Sequence, residues 1–540
     1  MKRAVAAALI LLSSSPAVLG ASRVEARHAA ISTSSPIATT VGLQILRDGG
    51  NAIDAAIAVS FALAVSHPQA GNLGGGGVLV YYQKRTDSVW SLDFLARPAT
   101  TAISTRESGR GPAAKVGVPG TVAGLLAAHS RFASLDWDKL VAPSILMASE
   151  GIRVEPQMER DLGRAQDSRG LNALPGLESF FPEGKALASG STFRQPNLAA
   201  TLQRIRDKGR EGFYRGQTAR LMLDTLDARG GVMTQRDLDA YEPEWKAPFR
   251  IDWGEYGILT MAPPSAGGLI MGQTLTLLSA YDLTSFRNGS PEWVHLLAEA
   301  ERRAFLDANR QLADRTRSRV PIEQMFSQTR VERMRESIDL DHASSSLELE
   351  RDFFRAEHTT HISIVDAEGN AASLTLSLGE NFGSGILVNG GGFFLNDGNE
   401  VPAIESSERV GAITTSLQIR PAYYMTPTIV LRAGKPILVI GSRGGAAIPT
   451  TILQIFLSVS IMDQDLDDAV EAPRFHHQAF PDTVFYEKGE IDIPFIDRLN
   501  EIGHGAEPRD PIGEVHAILI MGDKLVAIAD PRGGGAAGGY

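Results

Sequence analysis

The run His358-Thr359-Thr360-His361-Ile362-Ser363-Ile364-Val365 leads through Asp366-Ala367-Glu368-Gly369-Asn370 into Ala371-Ala372-Ser373-Leu374-Thr375-Leu376-Ser377-Leu378. Apolar residues recur at every second position on both sides of the turn: Ile362 and Ile364 before it, Ala372, Leu374, Leu376 and Leu378 after it. A period of two predicts two half-buried strands. Ala367-Glu368-Gly369 fits a three-residue hairpin loop with glycine in the left-handed position. That loop pairs Asp366 with Asn370, and the register carried back sets Thr359 opposite Ser377. Cross-strand neighbours stand about 5 Å apart at Cβ, so two hydroxyls meet at one strand end. By pattern alone they are as readily polar strand residues as a reactive pair.

The rest of the chain bounds what that pair can serve. Its 540 residues suffice for two or more compact units. Hydrophobic content of 43% and charged content of 21% are those of an ordinary folded soluble protein. The net charge is −11 with no basic run, which disfavours nucleic acid as a partner. The absence of cysteine excludes disulfides, thiolate metal sites and a cysteine nucleophile. Lys2 and Arg3, an apolar run over residues 4–12 and the small exit Val18-Leu19-Gly20-Ala21 are the parts of a secretory signal peptide over residues 1–21. A membrane anchor needs about 20 apolar residues. The expectation is export to periplasm or medium with no stable membrane anchor.

Along the chain, residues 41–46 read as a helix closed by Gly49-Gly50, and Asn51 caps a second, buried helix through Ala64. Gly74-Gly75-Gly76-Gly77 opens onto a strand at 78–82, without the Gly-Lys-Ser/Thr ending of a phosphate loop, so close packing is expected. A short strand follows at 92–95. Residues 140–310 read as mostly helical, broken at Pro156, Pro175 and Pro182. Residues 315–357 are highly charged and read as a mobile approach to the hairpin. Strands are expected at 392–395, 426–431 and 436–440. Gly441-Ser442-Arg443-Gly444-Gly445 then leads into a helix from about Ala446, and Gly533-Gly534-Gly535 reads as a flexible tail. The alternation implies layered α and β structure.

Without cysteine, a nucleophile must be Ser, Thr, Lys, Asp or Glu. A threonine hydroxyl needs a base, and an N-terminal threonine carries one in its own α-amine, with pKa about 7.7–8.0. An internal threonine reaches that state by attacking the preceding carbonyl, here that of His358, and hydrolysis of the ester then frees the amine. Thr359 at a strand start, with Ser377 opposite, suits that chemistry. Gly444 and Gly445, at a strand-to-helix turn, offer amides for an oxyanion, or are simply a tight turn. His476-His477 and His358-x-x-His361 lack further ligands at metal spacing, so neither a metal nor a cofactor is expected.

Several stretches, in order, carry a resemblance: Gly49-Gly50-Asn51-Ala52-Ile53-Asp54, Gly74-Gly75-Gly76-Gly77, Val116-Gly117-Val118-Pro119-Gly120-Thr121, Ala262-Pro263-Pro264-Ser265-Ala266-Gly267-Gly268, Thr359-Thr360-His361, Phe382-Gly383-Ser384-Gly385, Pro473-Arg474-Phe475-His476-His477-Gln478 and Asp530-Pro531-Arg532. Together they resemble the γ-glutamyltransferase (glutathione hydrolase) family of N-terminal-nucleophile hydrolases. The resemblance implies an α/β fold, a four-layer αββα sandwich, and autocatalytic cleavage between His358 and Thr359. A large subunit, 22–358, and a small catalytic subunit, 359–540, would remain partners. It implies Thr359 as nucleophile, Ser377 in place of a second threonine that bonds it, Gly444 and Gly445 as the oxyanion hole, and a small-molecule amide or peptide substrate such as glutathione. The substrate end departs from the pattern. Leu95 replaces an arginine that grips the substrate carboxylate, with Arg97 as its possible substitute. Tyr423-Tyr424 replaces a serine pair, Gly379 replaces an asparagine, and Glu400 remains of an acidic stretch. The cleaving apparatus is kept while the γ-glutamyl pocket is altered, which leaves an acylase acting on other amides as the alternative.

Overall fold

The hairpin forms in the register its pattern dictates. Thr359 faces Ser377, Ile362 faces Leu374 and Val365 faces Ala371. The Asp366 N–H donates to the Asn370 carbonyl at 3.0 Å, and Gly369 has φ +83°. The computed structural model describes residues 22–99, 111–313, 320–346, 358–398 and 423–540, so the segment 1–21 and Glu400 lie outside the described residues.

Strands His358–Val365 and Ala371–Gly379 are the middle of a seven-stranded antiparallel sheet. Its order is Ala536–Gly539, Ala30–Thr33, His358–Val365, Ala371–Gly379, Gly76–Gln83, Ser88–Asp93, Glu244–Lys246. A second sheet of seven antiparallel strands runs Arg23–Ala26, Lys524–Ala529, Glu514–Met521, Lys435–Arg443, Thr428–Arg432, Tyr256–Thr260, Phe249–Trp253. Alternation decides what each face meets. Ile362, Ile364, Leu374 and Leu376 join one apolar cluster with the helix Ala52–Ser66. The opposite face carries Ser363 and Ser373, whose hydroxyls donate to the carbonyls of His516 and Ile440 in the second sheet at 2.9 and 3.0 Å. Helices Ala266–Leu278, Pro291–Ala313 and Ala447–Ser460 cover the far side of that sheet. The architecture is the four-layer αββα sandwich.

The quoted motifs prove to be docking points. Asn51 and Asp54 close a capping box on Ala52–Ser66, and Asp366 in the hairpin loop accepts the Ala52 N–H at 2.8 Å. A Cβ on Gly74 would lie 2.1 Å from the Phe394 carbonyl oxygen, and one on Gly75 2.1 Å from that of Ser377, so the glycine run permits close packing. Arg474, buried, bonds Asp530 at 2.6 Å, while Arg532 holds Glu487.

Several expectations need correction. Residues 140–310 contain strands Glu244–Lys246, Phe249–Trp253 and Tyr256–Thr260. Phe249, Ile251 and Trp253 alternate with polar residues, a period-two signal hidden among helices. Pro156 and Pro182 open short or long helices at their first position instead of breaking them. Residues 392–395 form only isolated bridges, Leu387 with Phe394 and Gly74 with Leu395. Between 320 and 346 the chain forms helices Ile322–Met325 and Gln328–Glu336. Arg303 donates to the Met334 carbonyl near the end of the second, and Arg335 within it donates to the Leu277 carbonyl at the end of Ala266–Leu278. The C-terminal tail is the edge strand Ala536–Gly539, and the Tyr540 carbonyl accepts from Arg27, His28 and Ala29.

Asp366 accepts from Ala52, Glu368 and Asn370, joining the hairpin loop to the helix. Asp366→Ala is expected to cost about 1–3 kcal/mol, read as a lower thermal midpoint. An unchanged midpoint would remove this loop from the determinants of the fold.

Candidate active site

Thr359 is buried, and its Oγ1 has no hydrogen-bond partner among the described residues. A buried hydroxyl without a partner costs about 1–3 kcal/mol, so its presence calls for an explanation, of which a reactive role is one. The register breaks between His358 and Thr359: His358 pairs with Gly379 and Thr359 with Ser377, leaving Leu378 extra. That bulge lies in the partner strand, opposite the peptide bond read as the cleavage site, and it disrupts the ladder there. Ser377 shares the row with Thr359, but its Oγ accepts the Gly379 N–H at 2.9 Å. Gly379 has φ +87°, a backbone state that glycine and then asparagine adopt most readily. A Cβ there would lie 2.0 Å from Asp397 Oδ1. The carboxylate of Asp397 thus fills the space of the absent asparagine side chain.

The same row continues through Gly76, opposite Ser377, toward Leu95, whose Cα lies 2.6 Å from where a Gly76 Cβ would stand. Leu95 is buried in one apolar cluster with Val78, Tyr423 and Met425. Arg97 is half-buried, and its guanidinium lies 5.2 Å from the centre of the Tyr241 ring. The Tyr241 hydroxyl donates to the Leu95 carbonyl at 2.7 Å, which ties Arg97 to the Leu95 backbone. The two tyrosines part company. Tyr423 joins the Leu95 cluster, whereas the Tyr424 ring packs with Phe305 and Ala266 and its hydroxyl donates to Asn309 at 3.3 Å.

The oxyanion candidates come from the facing sheet. Gly444 and Gly445 have φ +128° and +60°, and their carbonyls accept from Ala447 and Ile448 to open the helix Ala447–Ser460. Among the described residues neither of their own N–H groups donates a hydrogen bond. Two unspent amides at a helix N-terminus suit a developing negative charge. The turn and Thr359 belong to the same end of the sandwich. His516 directs Nδ1 to Ser32 and Nε2 to Ser34 and Glu514. The Arg443–Glu514 pair therefore lies over the end at which Ser34 accepts from Thr360.

Sequence reasoning missed three contributors. Asn72 donates to the Ser377 carbonyl at 3.1 Å and accepts from Gly75 N–H and Thr121 Oγ1 at 2.8 and 2.9 Å. Its signal was an amide side chain set among glycines. Arg443 and Glu514 gave no local signal, because they meet only across the sheet. The buried trio His295, Glu299 and His504 brings its ligand atoms within 4.8 Å of one another. Glu299 is already engaged by Arg302, Arg303 and Ser344, and His295 bonds His504 at 2.8 Å. Two guanidinium groups there oppose a cation.

Residues 38–540 match the model of the gamma-glutamyltranspeptidase family. The chain belongs to that family. It is 35% identical over 529 residues to the glutathione hydrolase proenzyme of Pseudomonas aeruginosa, covering 92% of this chain and 91% of the relative. With the glutathione hydrolase proenzyme of Escherichia coli it shares 33% over 536 residues, 94% of this chain and 91% of the relative. Its fold is that of the cephalosporin acylase of Bacillus halodurans, with TM-score 0.84, 24% identity and 98% of each chain covered. A γ-glutamyltransferase-like hydrolase of this family is thus the frame for the geometry above.

Burial holds several imidazoles neutral. It lowers His361 well below the usual value, and lowers His67 and His477 to about 4 and His476 to about 3. An unfolded histidine titrates near 6.5. Below that pH the unfolded chain takes up protons that the folded one refuses, so stability is full above about 6.5 and is lost as pH falls toward 4. Each such histidine contributes up to about 1.4 kcal/mol per pH unit in that window. The thermal midpoint should fall steeply between pH 6.5 and 4; a flat profile would contradict the buried neutral assignment.

Proposed function

We propose that the chain is an exported, self-processing threonine amidohydrolase or acyltransferase that cleaves γ-glutamyl amides such as glutathione through an acyl-enzyme on Thr359. The observation that carries this reading is the buried Thr359 Oγ1, without a partner among the described residues, at a strand start opposite a bulge. In processing, the hydroxyl attacks the His358 carbonyl, the chain shifts to an ester on Oγ1, and water hydrolyses it, leaving residues 22–358 and 359–540. The freed α-amine then serves as base. It takes the hydroxyl proton as Oγ1 attacks the substrate carbonyl, and returns it to the leaving amine. The Gly444 and Gly445 amides hold the tetrahedral oxyanion, a contribution of about 3–4 kcal/mol for one such donor. Water or an acceptor amine releases the acyl group. Ser377 is placed to orient the hydroxyl once the strand end is free. The residues before Ser22 carry the export signal, and no described helix is long and apolar enough to cross a membrane.

A second reading is favoured by one observation: the row of Thr359, Ser377 and Gly76 runs on to the buried, apolar Leu95. An apolar wall leaves a substrate carboxylate unpaired, at a cost of about 1–3 kcal/mol or more. It suits an acyl group without the α-amino-acid head. Arg97 and Glu400 are the residues that could restore a charged grip on that head.

Turnover of a γ-glutamyl anilide and of its glutaryl analogue separates the two. The first reading expects the γ-glutamyl compound to be preferred, and equal or better turnover of the glutaryl compound would replace it with the second. Thr359→Ala should abolish turnover of both; residual activity at wild-type rate would remove Thr359 as nucleophile.

A further inference from the structure

We propose that the half-buried Arg443 and the buried Glu514 and His516 form a polar link that sets the spacing between the Gly444–Gly445 turn and Thr359, with Glu514 a positioning residue for the reaction. The proposal rests on the reading of Thr359 and the glycine pair given above.

The link is continuous. Arg443, the residue before Gly444, pairs with Glu514 across the second sheet, its Nε 2.5 Å from Oε2. Glu514 Oε1 lies 3.3 Å from His516 Nε2, which is also 3.0 Å from Ser34 Oγ. Ser34 Oγ accepts from Thr360 Oγ1 at 2.8 Å. One end flanks the oxyanion turn and the other flanks the nucleophile, so the contacts cross from one sheet to the other.

Its chemistry makes it stiff. Glu514 is fully buried, and its two carboxylate oxygens face Arg443 Nε and His516 Nε2. Burial raises its pKa, but Arg443, His516 and His67 outweigh that and bring it to about 2. Asp161 also acts on Arg443 and His67, and Asp530 acts on Arg443. A Cβ on Gly533 would lie 2.0 Å from the Glu514 carboxyl carbon, so the carboxylate packs where only a glycine leaves room for it. A buried charge whose partner is removed is strongly destabilising, whereas exchange of both for apolar groups is often neutral.

The functional need follows from processing. Cleavage before Thr359 turns the start of its strand into a chain terminus, and termini fray unless tied down. The bond from Thr360 to Ser34 ties it, and the link behind Ser34 fixes that tie relative to the turn. A misplacement on the order of 1 Å can cost roughly 100-fold in rate.

The test compares wild type, Glu514→Gln and the double variant Arg443→Met with Glu514→Met, for self-cleavage, thermal midpoint, kcat and KM on the two anilides. Glu514→Gln should lower kcat roughly 10- to 100-fold while KM stays within about twofold. The double variant should recover the midpoint but not kcat, and it carries the test if the single variant fails to fold. Recovery of kcat together with the midpoint, or a Glu514→Gln protein of wild-type kcat, overturns the link as more than a fold element. A wild type that neither cleaves itself nor turns over either anilide defeats the functional reading and the link with it. An active wild type with kcat-neutral variants defeats the link alone.

Discussion

Polar side chains on the facing surfaces of the two sheets hold them in one relative position, and everything at the site depends on that position. Ser363 and Ser373 donate to carbonyls of the second sheet, and the Thr428 N–H donates back to Ser373 at 3.0 Å. His361 bonds Thr375 and Ser363, and its ring lies where a Cβ on Gly441 would stand, 2.2 Å away. Apolar contacts between sheets are non-directional and would tolerate sliding. Hydrogen bonds in a low dielectric do not, and each group left unmade would be costly. The strand that opens with Thr359 and the strand that ends at Gly444–Gly445 are thereby fixed against each other, although no covalent connection between them is short.

Stability comes from outside this seam. The helix Ala52–Ser66 is buried throughout and backs the hairpin, while Ala447–Ser460 backs the oxyanion strand. Motifs of charged residues brace the periphery: Arg474 and Arg532 converge on Asp530 and Glu487. The division is physical. Apolar burial drives the fold, and the polar seam specifies which sandwich is made.

Local signals in the sequence carried the centre of the molecule well. The period-two run around Ile362 and Leu374 and the glycine at 369 sufficed for a register correct to the residue from Thr359 to Val365, because a slip of one would turn every leucine onto the polar seam between the sheets. Pairing across the sheets was not legible. Arg443 and Glu514 lie 71 positions apart, and nothing near either announces the other. Strands such as Tyr256–Thr260 were hidden because they are short and sit between helices. The tail Ala536–Gly539 was hidden because small residues carry no periodicity, yet they are what lets it lie against Ala30–Thr33. At the substrate end the sequence named Leu95 and the two tyrosines together. The fold separates them, setting Tyr423 with Leu95 and turning Tyr424 toward Phe305.

Leu95, Arg97 and Tyr423, the residues proposed for the substrate end, make none of the seam hydrogen bonds named above. What the proposed mechanism requires is that Thr359 become a chain terminus. Intact-mass analysis of the purified protein tests this directly. The account predicts two fragments that part between His358 and Thr359, the smaller ending at Tyr540. A single unbroken chain, or cleavage at any other bond, would contradict it.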